Sequence, residues 1–422
     1  MFLKLWDMSY KRLGNYIQQV NVRNKSLETN VLLGVSITKK LMPSIANVIG
    51  TDMSVYKVIE KRQFAYGTVT SRNGDKISIA LSDQYEKALV SQIYVVFEVI
   101  NTDELLPEYL MMWFSRPEFD RYVRFHSHGS TRETFDWADM CEVELPIPSI
   151  AEQRQIVAQY QSIANKIKVN EQICEKLEAT AQALYKHWFV DFEFPNEEGK
   201  PYKSSGGKMV WNEELGKEIP EGWEMQSLGE LLVEKGYIRG PFGSALKKDD
   251  MLLTGYPVYE QQHIIDDHRN FRYYIDDVKY KELKRFSVKS DDFIISCSGT
   301  IGRINVIKKD DIIGVINQAL LILRFDREKI DLFAMFYFLT SKIGNSLLTE
   351  TSSGSAQINI GKKETIYSIR ILNPDLEFRT KHKMEFELFY IKTETLKKQI
   401  QKLTQLQSLL LSRLAVGEEV GA

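Results

Sequence analysis

Two long segments of the chain carry apolar residues at alternating steps of four and three, the spacing of one face of a long helix. A seam this narrow and this long is typical of a helix that packs against a partner helix in a coiled coil. The alternative is that each helix packs on the core of its own domain. The predicted seam positions are Ile163, Ile167, Asn170, Cys174, Leu177, Ala181 and Leu184 in the first segment, and Phe389, Leu396, Ile400, Leu403, Gln407 and Leu410 in the second.

The two helical segments are copies of each other. Residues 145–189 align without a gap with residues 371–415, at a constant offset of 226 positions that places Leu403 on Leu177. A repeat of this length indicates an internal duplication. The chain therefore divides into two half-molecules, each a globular domain followed by a long helix, and the two helices are expected to pair with each other about a pseudo-twofold axis.

Short runs of β-branched and aromatic residues separated by turn signals precede each helix, which predicts two mixed domains in an α+β protein. In the first domain, Asn73-Gly74 between β-rich flanks predicts a hairpin, and residues 105–123 predict a helix. In the second domain, residues 291–299 and 314–325 predict strands. Residues 192–224 are dense in Pro, Gly, Ser and charge and predict an extended connector.

Pro146, Pro148 and Ser149 precede the first long helix, with Glu152 three positions after Ser149 as a capping box requires. The predicted boundaries are a first domain over residues 1–148, a first helix over 149–192, a connector and second domain over 193–373, and a second helix over 374–418.

Composition narrows the class of protein. The chain has 422 residues, 43% of them hydrophobic, enough for two cores, and its formal net charge is -2. An anionic partner would therefore have to be bound by local basic patches. The three widely spaced cysteines support neither a disulfide framework nor a zinc cluster. With no signal-peptide pattern and no apolar run long enough to span a bilayer, the sequence predicts a cytoplasmic protein without a membrane segment.

Glycines, small hydroxyl residues, amides and cations recur together in four segments of the second domain. Such residues suit a surface that holds phosphates and hydrogen-bonds to base edges. The alternative is that the glycines only form tight turns. The candidate DNA-binding residues of this domain are Phe242, Ser244, Lys247, Lys248, Gln261, Gln262, Ser298, Thr300, Arg303, Asn317, Gln318, Ser353, Gln357 and Asn359.

The first domain carries comparable polar segments. Arg116, Arg121 and Arg124 are equally well explained as a solvated helix face. His126 and His128 lack nearby Cys or carboxylate ligands, so no metal site is predicted. The candidate DNA-binding residues here are Tyr66, Ser71, Arg72, Asn73, His128, Ser130 and Arg132.

No segment of the chain matches a known catalytic motif completely, and no catalytic residue is predicted. Residues 356–363 approach a phosphate-binding loop but have Ala356 in place of the first glycine and Lys363 in place of Ser or Thr. Residues 373–376 begin like the Asn-Pro-Pro-aromatic signature of DNA amino-methyltransferases and then depart from it, and no methyl-donor loop accompanies them. The chain is predicted to bind without chemistry of its own.

The whole arrangement resembles the specificity subunits of type I restriction-modification systems. The features that carry the resemblance are the two glycine- and amide-rich domains and the long helix after each, the first introduced by Pro-x-x-x-Glu-Gln. They cover essentially the whole chain, and their order and spacing are specific. The segments concerned are residues 146–156, 219–223, 240–247, 298–302 and 354–360.

The resemblance implies that each domain is a target recognition domain for one half of a bipartite double-stranded DNA sequence. It implies that the helices pair antiparallel as a spacer around which two methyltransferase subunits bind, and that motor-nuclease subunits join them. S-adenosylmethionine, ATP and Mg²⁺ would belong to those partners, and this chain would carry no cofactor. The second helix lacks the Glu-Gln pair of the first, which leaves the equivalent contacts open.

Two other functions remain as alternatives. One is a coiled-coil scaffold that binds only proteins, which is compatible with the net charge of -2. The other is a stand-alone DNA methyltransferase, which the missing catalytic signatures disfavour.

Overall fold

The fold is taken from a computed structural model, which describes residues 10–44, 50–71, 73–129, 132–349, 360 and 362–414. The chain divides into two compact units. Unit 1 comprises the chain up to Glu171 together with the part from Lys397 onward, and unit 2 comprises Gln172–Leu396. The division cuts both long helices, so each unit contains one end of each of them.

Unit 1 combines strands of mixed orientation with short helices. Its strands are β1 (Tyr10–Arg12), β2 (Ile17–Val20), β3 (Leu32–Val35), β4 (Leu41–Pro43), β5 (Lys57–Glu60), β6 (Phe64–Gly67), β7 (Ile79–Leu81), β8 (Lys87–Val90), β9 (Tyr94–Val99) and β10 (Glu144–Pro146). The helices that begin in it are α1 (Pro107–Phe114), α2 (Pro117–His126), α3 (Trp137–Glu142) and α4 (Ile150–Phe189).

The described residues of unit 1 include two four-stranded sheets. One sheet has the order β2-β9-β6-β7 and is antiparallel. The other has the order β4-β3-β8-β5, in which β3 and β8 run parallel. Phe64 of β6 stacks on Phe97 of β9 at 4.8 Å between ring centroids, and both are fully buried. Aromatic pairs across neighbouring strands stabilise such a ladder beyond their buried area.

Unit 2 contains the connector, the second set of strands and the start of the second long helix. Its strands are β11 (Met209–Asn212), β12 (Lys217–Pro220), β13 (Glu224–Ser227), β14 (Leu232–Arg239), β15 (Tyr256–Tyr259), β16 (Tyr274–Ile275), β17 (Phe293–Ser296), β18 (Ile304–Val306), β19 (Val315–Ile316), β20 (Leu320–Phe325) and β21 (Arg370–Asn373). Its helices are α5 (Gln261–Ile265), α6 (Asp277–Glu282), α7 (Leu332–Thr340), α8 (Lys342–Thr349), α9 (Lys363–Ser368), α10 (Leu376–Lys381) and α11 (Lys383–Arg413).

The topology of unit 2 repeats that of unit 1. Its antiparallel sheet has the order β14-β20-β17-β18, which matches β2-β9-β6-β7 strand for strand. Its second sheet, β16-β15-β19, again contains a parallel pair, β15 with β19. Helices α7, α8 and α9 follow these strands in the order of α1, α2 and α3. The duplication read from the helices therefore extends through both sheets.

Several predicted elements differ from those observed. The helix predicted over residues 105–123 is two helices, because Pro117 starts α2 after a break at Ser115. The strand predicted over residues 314–325 is β19 and β20, separated by a tight turn. Asn73-Gly74 does lie between two antiparallel strands, β6 and β7, but in a long loop and not in a two-residue turn.

Two further differences concern the connector and the second helix. The predicted extended connector contains the antiparallel pair β11-β12. The second long helix is preceded by the short α10, which ends before His382. His382 is buried and lies 5.0 Å from the ring of Trp188.

The start of α4 and the short helix α10 that precedes α11 are each tied to the preceding domain, through different side chains. The buried amide of Gln153 donates to the carbonyl of Glu104 at 2.8 Å and accepts from the backbone N–H of Leu106 at 2.8 Å. The residue at the repeat-related position is Arg379, whose guanidinium donates to the carbonyl of Glu328 at 2.7 Å. Arg379 thus makes a contact with the domain at the position where the first copy has the glutamine of its Glu-Gln pair.

The long helices run antiparallel in each unit. In unit 1, Ile163 lines the same groove as Leu406 and Leu410, and further along α4 Asn170 donates to Gln399 at 3.3 Å. Residue numbers therefore increase along α4 in the direction in which they decrease along α11.

The same direction holds in unit 2, where Cys174 approaches the carbonyl of Thr393 at 3.9 Å and Tyr185 lies 6.3 Å from Phe386. Every predicted seam position is buried or half-buried. The ends of the helices also pack on the domain cores, through Val157 in unit 1 and Trp188 in unit 2. The predicted fold class, two mixed domains with antiparallel long helices, is confirmed.

Charged side chains hold part of unit 2 against α11. Lys308 pairs with Glu394 of that helix and lies 3.2 Å from Asp267. Arg269 binds Asp311 through two contacts of 2.7 and 2.8 Å.

Within the described ranges, no helix has the length and apolarity to cross a membrane.

A buried ion pair joins the start of β17 to β20. Asp292 is fully buried and receives two hydrogen bonds of 2.6 and 2.7 Å from the Arg324 guanidinium. Burial raises the pKa of Asp292, and the charge of Arg324 opposes that shift. Because breaking a buried pair costs about 3–5 kcal/mol, we expect Arg324→Met to lower the free energy of unfolding by that order in urea denaturation.

The matched control is Arg327→Met. Arg327 pairs with Asp291 at 2.6 Å, but its side chain is 60% exposed. Exposed pairs contribute about 0–1 kcal/mol, so this variant should unfold almost like the parent chain. Equal losses in the two variants would contradict the stabilising role assigned to the buried pair.

Candidate nucleic-acid interface

In unit 2 the polar segments meet where several strands end. Backbone hydrogen bonds join them: Gly240 donates to Leu320 at 3.0 Å, Cys297 to Ala319 at 2.8 Å, and Asn317 to Tyr259 at 3.0 Å. The loops of residues 240–248, 260–262, 297–303 and 317–319 therefore form one surface, which we call the polar surface of unit 2. The sequence motifs that lie in the described part of this unit are thereby brought together.

The loop of residues 297–303 is held by its own hydrogen bonds. The hydroxyl of Ser296 accepts from the backbone N–H of Arg303 at 3.0 Å and donates to the carbonyl of Thr300 at 2.5 Å. Asn345 of α8 donates to the carbonyl of Gly302 at 2.6 Å, and Gln261 donates to that of Ser298. Ser298, Thr300 and Arg303 are exposed on this fixed backbone.

The turn of residues 317–319 presents one amide outward and uses another internally. The side chain of Asn317 accepts from the backbone N–H of Ala319 at 3.0 Å, so it shapes the turn. Gln318 is exposed at the tip. Gly240 packs directly against the turn, since a Cβ on it would lie 1.9 Å from the carbonyl oxygen of Asn317.

Cations and an exposed aromatic ring occupy the loop of residues 240–248. Phe242 is 65% exposed, and the guanidinium of Arg239 lies 5.9 Å from its ring centroid. Lys247 and Lys248 are also exposed, as is Gln262 in the neighbouring loop. Cationic and aromatic groups of this kind suit contacts with phosphates and bases. Ser244 contributes backbone to a short 3-10 helix, and Ser353, Gln357 and Asn359 lie outside the described residues.

Cys297 lies beneath this surface. Burial raises the pKa of Cys297 to about 12, and the nearby Arg239 only partly opposes the shift. Its thiol is therefore protonated at neutral pH and is a poor nucleophile. Over the described ranges, no group of three His, Cys, Asp or Glu side chains is arranged to hold a metal ion.

In unit 1 the loop of residues 68–76 pairs with residues 127–135. Thr70 donates from its backbone to Glu133 at 3.0 Å, and Phe135 donates to Thr68 at 2.8 Å. The candidates on these loops form the polar surface of unit 1. Ser71, His128 and Arg132 are exposed on it and Asn73 is half-buried, whereas Arg72 and Ser130 lie outside the described residues.

Tyr66 does not belong to this surface, and its prediction as a DNA contact is wrong. Its side chain is fully buried because it packs in the hydrophobic core of unit 1, with its ring 6.1 Å from that of Phe97. Burial also raises its pKa above the usual value for tyrosine. Tyr66 is a core residue at the base of the loop that follows it.

The three arginines of the α2 region have different roles. Arg116 is 4% exposed and stacks on Trp113 at 4.1 Å, so it is structural. Arg121 pairs with Glu118 on the exposed helix face at 3.2 Å. Arg124 pairs with Asp75 and donates to the carbonyl of Gly74 at 3.3 Å, which fixes the loop that carries Ser71. It also lines a cavity of about 160 Å³ beside that loop.

One exposed turn is not among the residues predicted from the sequence, namely Ser91-Gln92-Ile93, which joins β8 to β9. Gln92 and Ile93 are exposed, and Tyr94 after them pairs with Gly67 at the start of the loop of residues 68–76. The offset of 226 places this turn on Asn317-Gln318-Ala319. Extending the repeat from the helices to the loops would have found it.

Comparison with known proteins finds similarity to type I restriction-modification specificity subunits. Residues 42–179 match the family model for the type I restriction modification DNA specificity domain. The type I restriction enzyme MjaIX specificity subunit of Methanocaldococcus jannaschii is 38% identical over 140 residues, 33% of this chain and 30% of that protein. This match therefore spans less than a third of the relative's length.

Two longer matches cover nearly the whole chain. The type I restriction enzyme HindI specificity subunit of Haemophilus influenzae is 24% identical, over 90% of this chain and 91% of that protein. The crystal structure of a type I restriction-modification S subunit from M. genitalium covers 98% of both chains at 15% identity, with a TM-score of 0.58, and has the same fold. The resemblance to type I specificity subunits is confirmed, and residues 42–179 match the model of the DNA specificity domain of that family.

The close approach of Gly240 to Asn317 gives a test of the polar surface of unit 2. A methyl group at position 240 would overlap the Asn317 carbonyl, and overpacking of this kind costs about 1–3 kcal/mol. We expect Gly240→Ala to lower the free energy of unfolding by that amount in urea. Gly34→Ala is the control, because a Cβ on Gly34 would have no atom within 4 Å. A Gly240→Ala variant as stable as this control would rule out the tight contact.

Proposed function

We propose that this chain is the DNA sequence-specificity subunit of a type I restriction-modification complex. Each polar surface contacts one half of a bipartite double-stranded DNA target. The observation that carries the proposal is the repetition of one design: two units of the same topology, each with hydroxyl, amide and cationic side chains exposed on loops at strand ends. The match of residues 42–179 to a DNA specificity domain supports it.

The chemistry of the surfaces supports direct contact with bases. Amide side chains such as Gln318 can form paired hydrogen bonds with adenine, and arginines such as Arg303 with guanine. Lys247 and Lys248 supply local positive charge that a chain of net charge -2 needs in order to bind phosphates. The loop backbones are fixed by internal hydrogen bonds, so little order has to be gained on binding.

The long helices act as a spacer in this proposal. Helix α4 has 40 residues, which corresponds to about 60 Å at the usual rise per residue. Two methyltransferase subunits would bind around the helices, and motor-nuclease subunits would complete the complex in the cytoplasm. S-adenosylmethionine, ATP and Mg²⁺ would be held by those partners. A target adenine would be flipped into a methyltransferase subunit, and this chain would select the site.

The modular arrangement predicts changes confined to one half-site. We expect Arg303→Ala and Gln318→Ala to relax one half of the target and to leave the other half unchanged. Each lost base contact should reduce discrimination about 5- to 100-fold at one position. Genome-wide mapping of methylated adenines, with the methyltransferase subunits co-expressed, measures both halves at once.

Lys309→Ala is the matched control for these variants. Lys309 is exposed beyond the end of β18 that lies away from the polar surface, and the target should be unchanged in this variant. Simultaneous relaxation of both halves in Arg303→Ala or Gln318→Ala would contradict the modular proposal. A parent complex that methylates no bipartite sequence would overturn the proposed function itself.

The spacer role predicts that helix length sets the distance between half-sites. Four residues inserted after Leu177, with four more opposite them in α11, lengthen the helical pair by about 6 Å. We expect a different number of unread base pairs between two unchanged half-sites, measured by methylation mapping. The same four residues inserted in the exposed turn of residues 203–206 should leave the target as it was. If the number of unread base pairs is unchanged in the helix variant, the length of the helices does not set the distance between the half-sites.

A further inference from the structure

We propose that the turn Ser91-Gln92-Ile93 is a base-contacting element of unit 1 that recognises an A·T base pair in the major groove. Gln92 forms hydrogen bonds with the adenine, and Ile93 packs against the thymine methyl group. The inference rests on the proposed function and assigns specificity-determining residues to the first half-site. Gln318 and Ala319 form the corresponding element of unit 2.

The two turns are equivalent in the duplicated fold. Each follows a strand that runs parallel to its neighbour, β8 beside β3 and β19 beside β15, and each leads into an inner strand of the antiparallel sheet. Each is closed by the same backbone hydrogen bond, from Tyr94 to Ser91 at 3.1 Å and from Leu320 to Asn317 at 3.2 Å. The repeat therefore preserves the shape of the turn as well as its place in the chain.

The turn of unit 1 lies beside the polar surface already described. Tyr94 pairs with Gly67, the last residue of β6, and the loop that carries Ser71 starts directly after Gly67. A Cβ on Gly67 would lie 3.4 Å from the Tyr94 ring, so this ring packs beside Gly67. Lys57 donates to the carbonyl of Tyr94 at 2.7 Å and fixes the base of the turn.

The side chains at the tip point to a ligand outside the chain. Gln92 is exposed, and among the residues that the structure describes none forms a hydrogen bond with its amide. Ile93 is 70% exposed, although its side chain is apolar. By contrast, the amide of Gln63 in the same unit is buried and bonded to Glu98 at 2.9 Å.

The pairing of an amide with an apolar side chain indicates the base pair. Glutamine offers a donor and an acceptor that match N6 and N7 of adenine in the major groove. The methyl group on C5 of thymine is the apolar feature of the same groove, and Ile93 can contact it. Guanine is instead bound by arginine or lysine, and the turn contains neither.

The first experiment tests the contact with adenine. The full chain, co-purified with its methyltransferase subunits, is assayed on duplexes in which each base pair of the target is varied in turn. We expect Gln92→Ala to relax a single A·T position of the first half-site about 5- to 100-fold, with the second half-site unchanged. Gln318→Ala should have the mirror effect on the second half-site.

Gln84→Ala is the matched control, because Gln84 is exposed in the loop between β7 and β8, at the other end of these strands. A Gln92→Ala profile identical to that of Gln84→Ala, or a relaxed G·C position, would overturn the assignment. If Gln92→Ala has no effect but Arg303→Ala still relaxes its own half-site, only the assignment of the turn is wrong, and the proposed function is retained. If the parent complex has no bipartite target, the proposed function itself is wrong.

The second experiment tests the apolar contact independently. Replacing the thymine of that pair by uracil removes only the methyl group, and it should weaken binding of the parent complex. In Ile93→Ser the same replacement should have no further effect, because the apolar partner is already missing. Equal weakening by uracil in the parent and in Ile93→Ser would exclude contact between Ile93 and the methyl group. Thermal unfolding of each variant checks that its fold is retained.

Discussion

The constraint on which the structure depends is that two long helices must each bury a narrow seam of residues spaced alternately four and three apart. Both helices contribute to each unit, because the division between the units cuts α4 and α11 and leaves one end of each helix in either unit. Antiparallel pairing meets this requirement. At Asn170 the seam contains a fully buried amide, bonded to Gln399 across the helices. A buried polar residue in a seam costs stability but fixes the register, since any slip would separate the two amides.

Anchoring carries that register into the domains. Gln153 and Arg379 occupy repeat-related positions and differ in size and charge, yet each donates a hydrogen bond to a carbonyl of the segment before α1 or α7. What the duplication preserves is a geometric relation between helix and domain, while the side chain that makes it has changed. In unit 2, Lys308 and Glu394 add an ionic link between the segment after β18 and α11.

The features predicted well from the sequence are those whose pattern extends over many residues. The seam and the duplication are visible because dozens of residues repeat them, and the burial pattern of α4 and α11 follows them. Tyr66 was misplaced because a strand of four residues does not reveal how many of its faces are covered. The turn of residues 91–93 was missed because three residues carry no pattern of their own. The contacts of Gln153 and Arg379 depend on residues distant in sequence, which no local pattern contains.

The loops of the polar surface of unit 2 separate what fixes their shape from what they expose. Backbone hydrogen bonds, the Ser296 hydroxyl and the contact of Gly240 with Asn317 determine the path of the chain. The side chains of Ser298, Arg303 and Gln318 point away from that framework and do not support it. Mutations at such positions can accumulate without unfolding the domain. A duplicated ancestor could in this way have kept two copies of one scaffold while their outward residues diverged under separate selection.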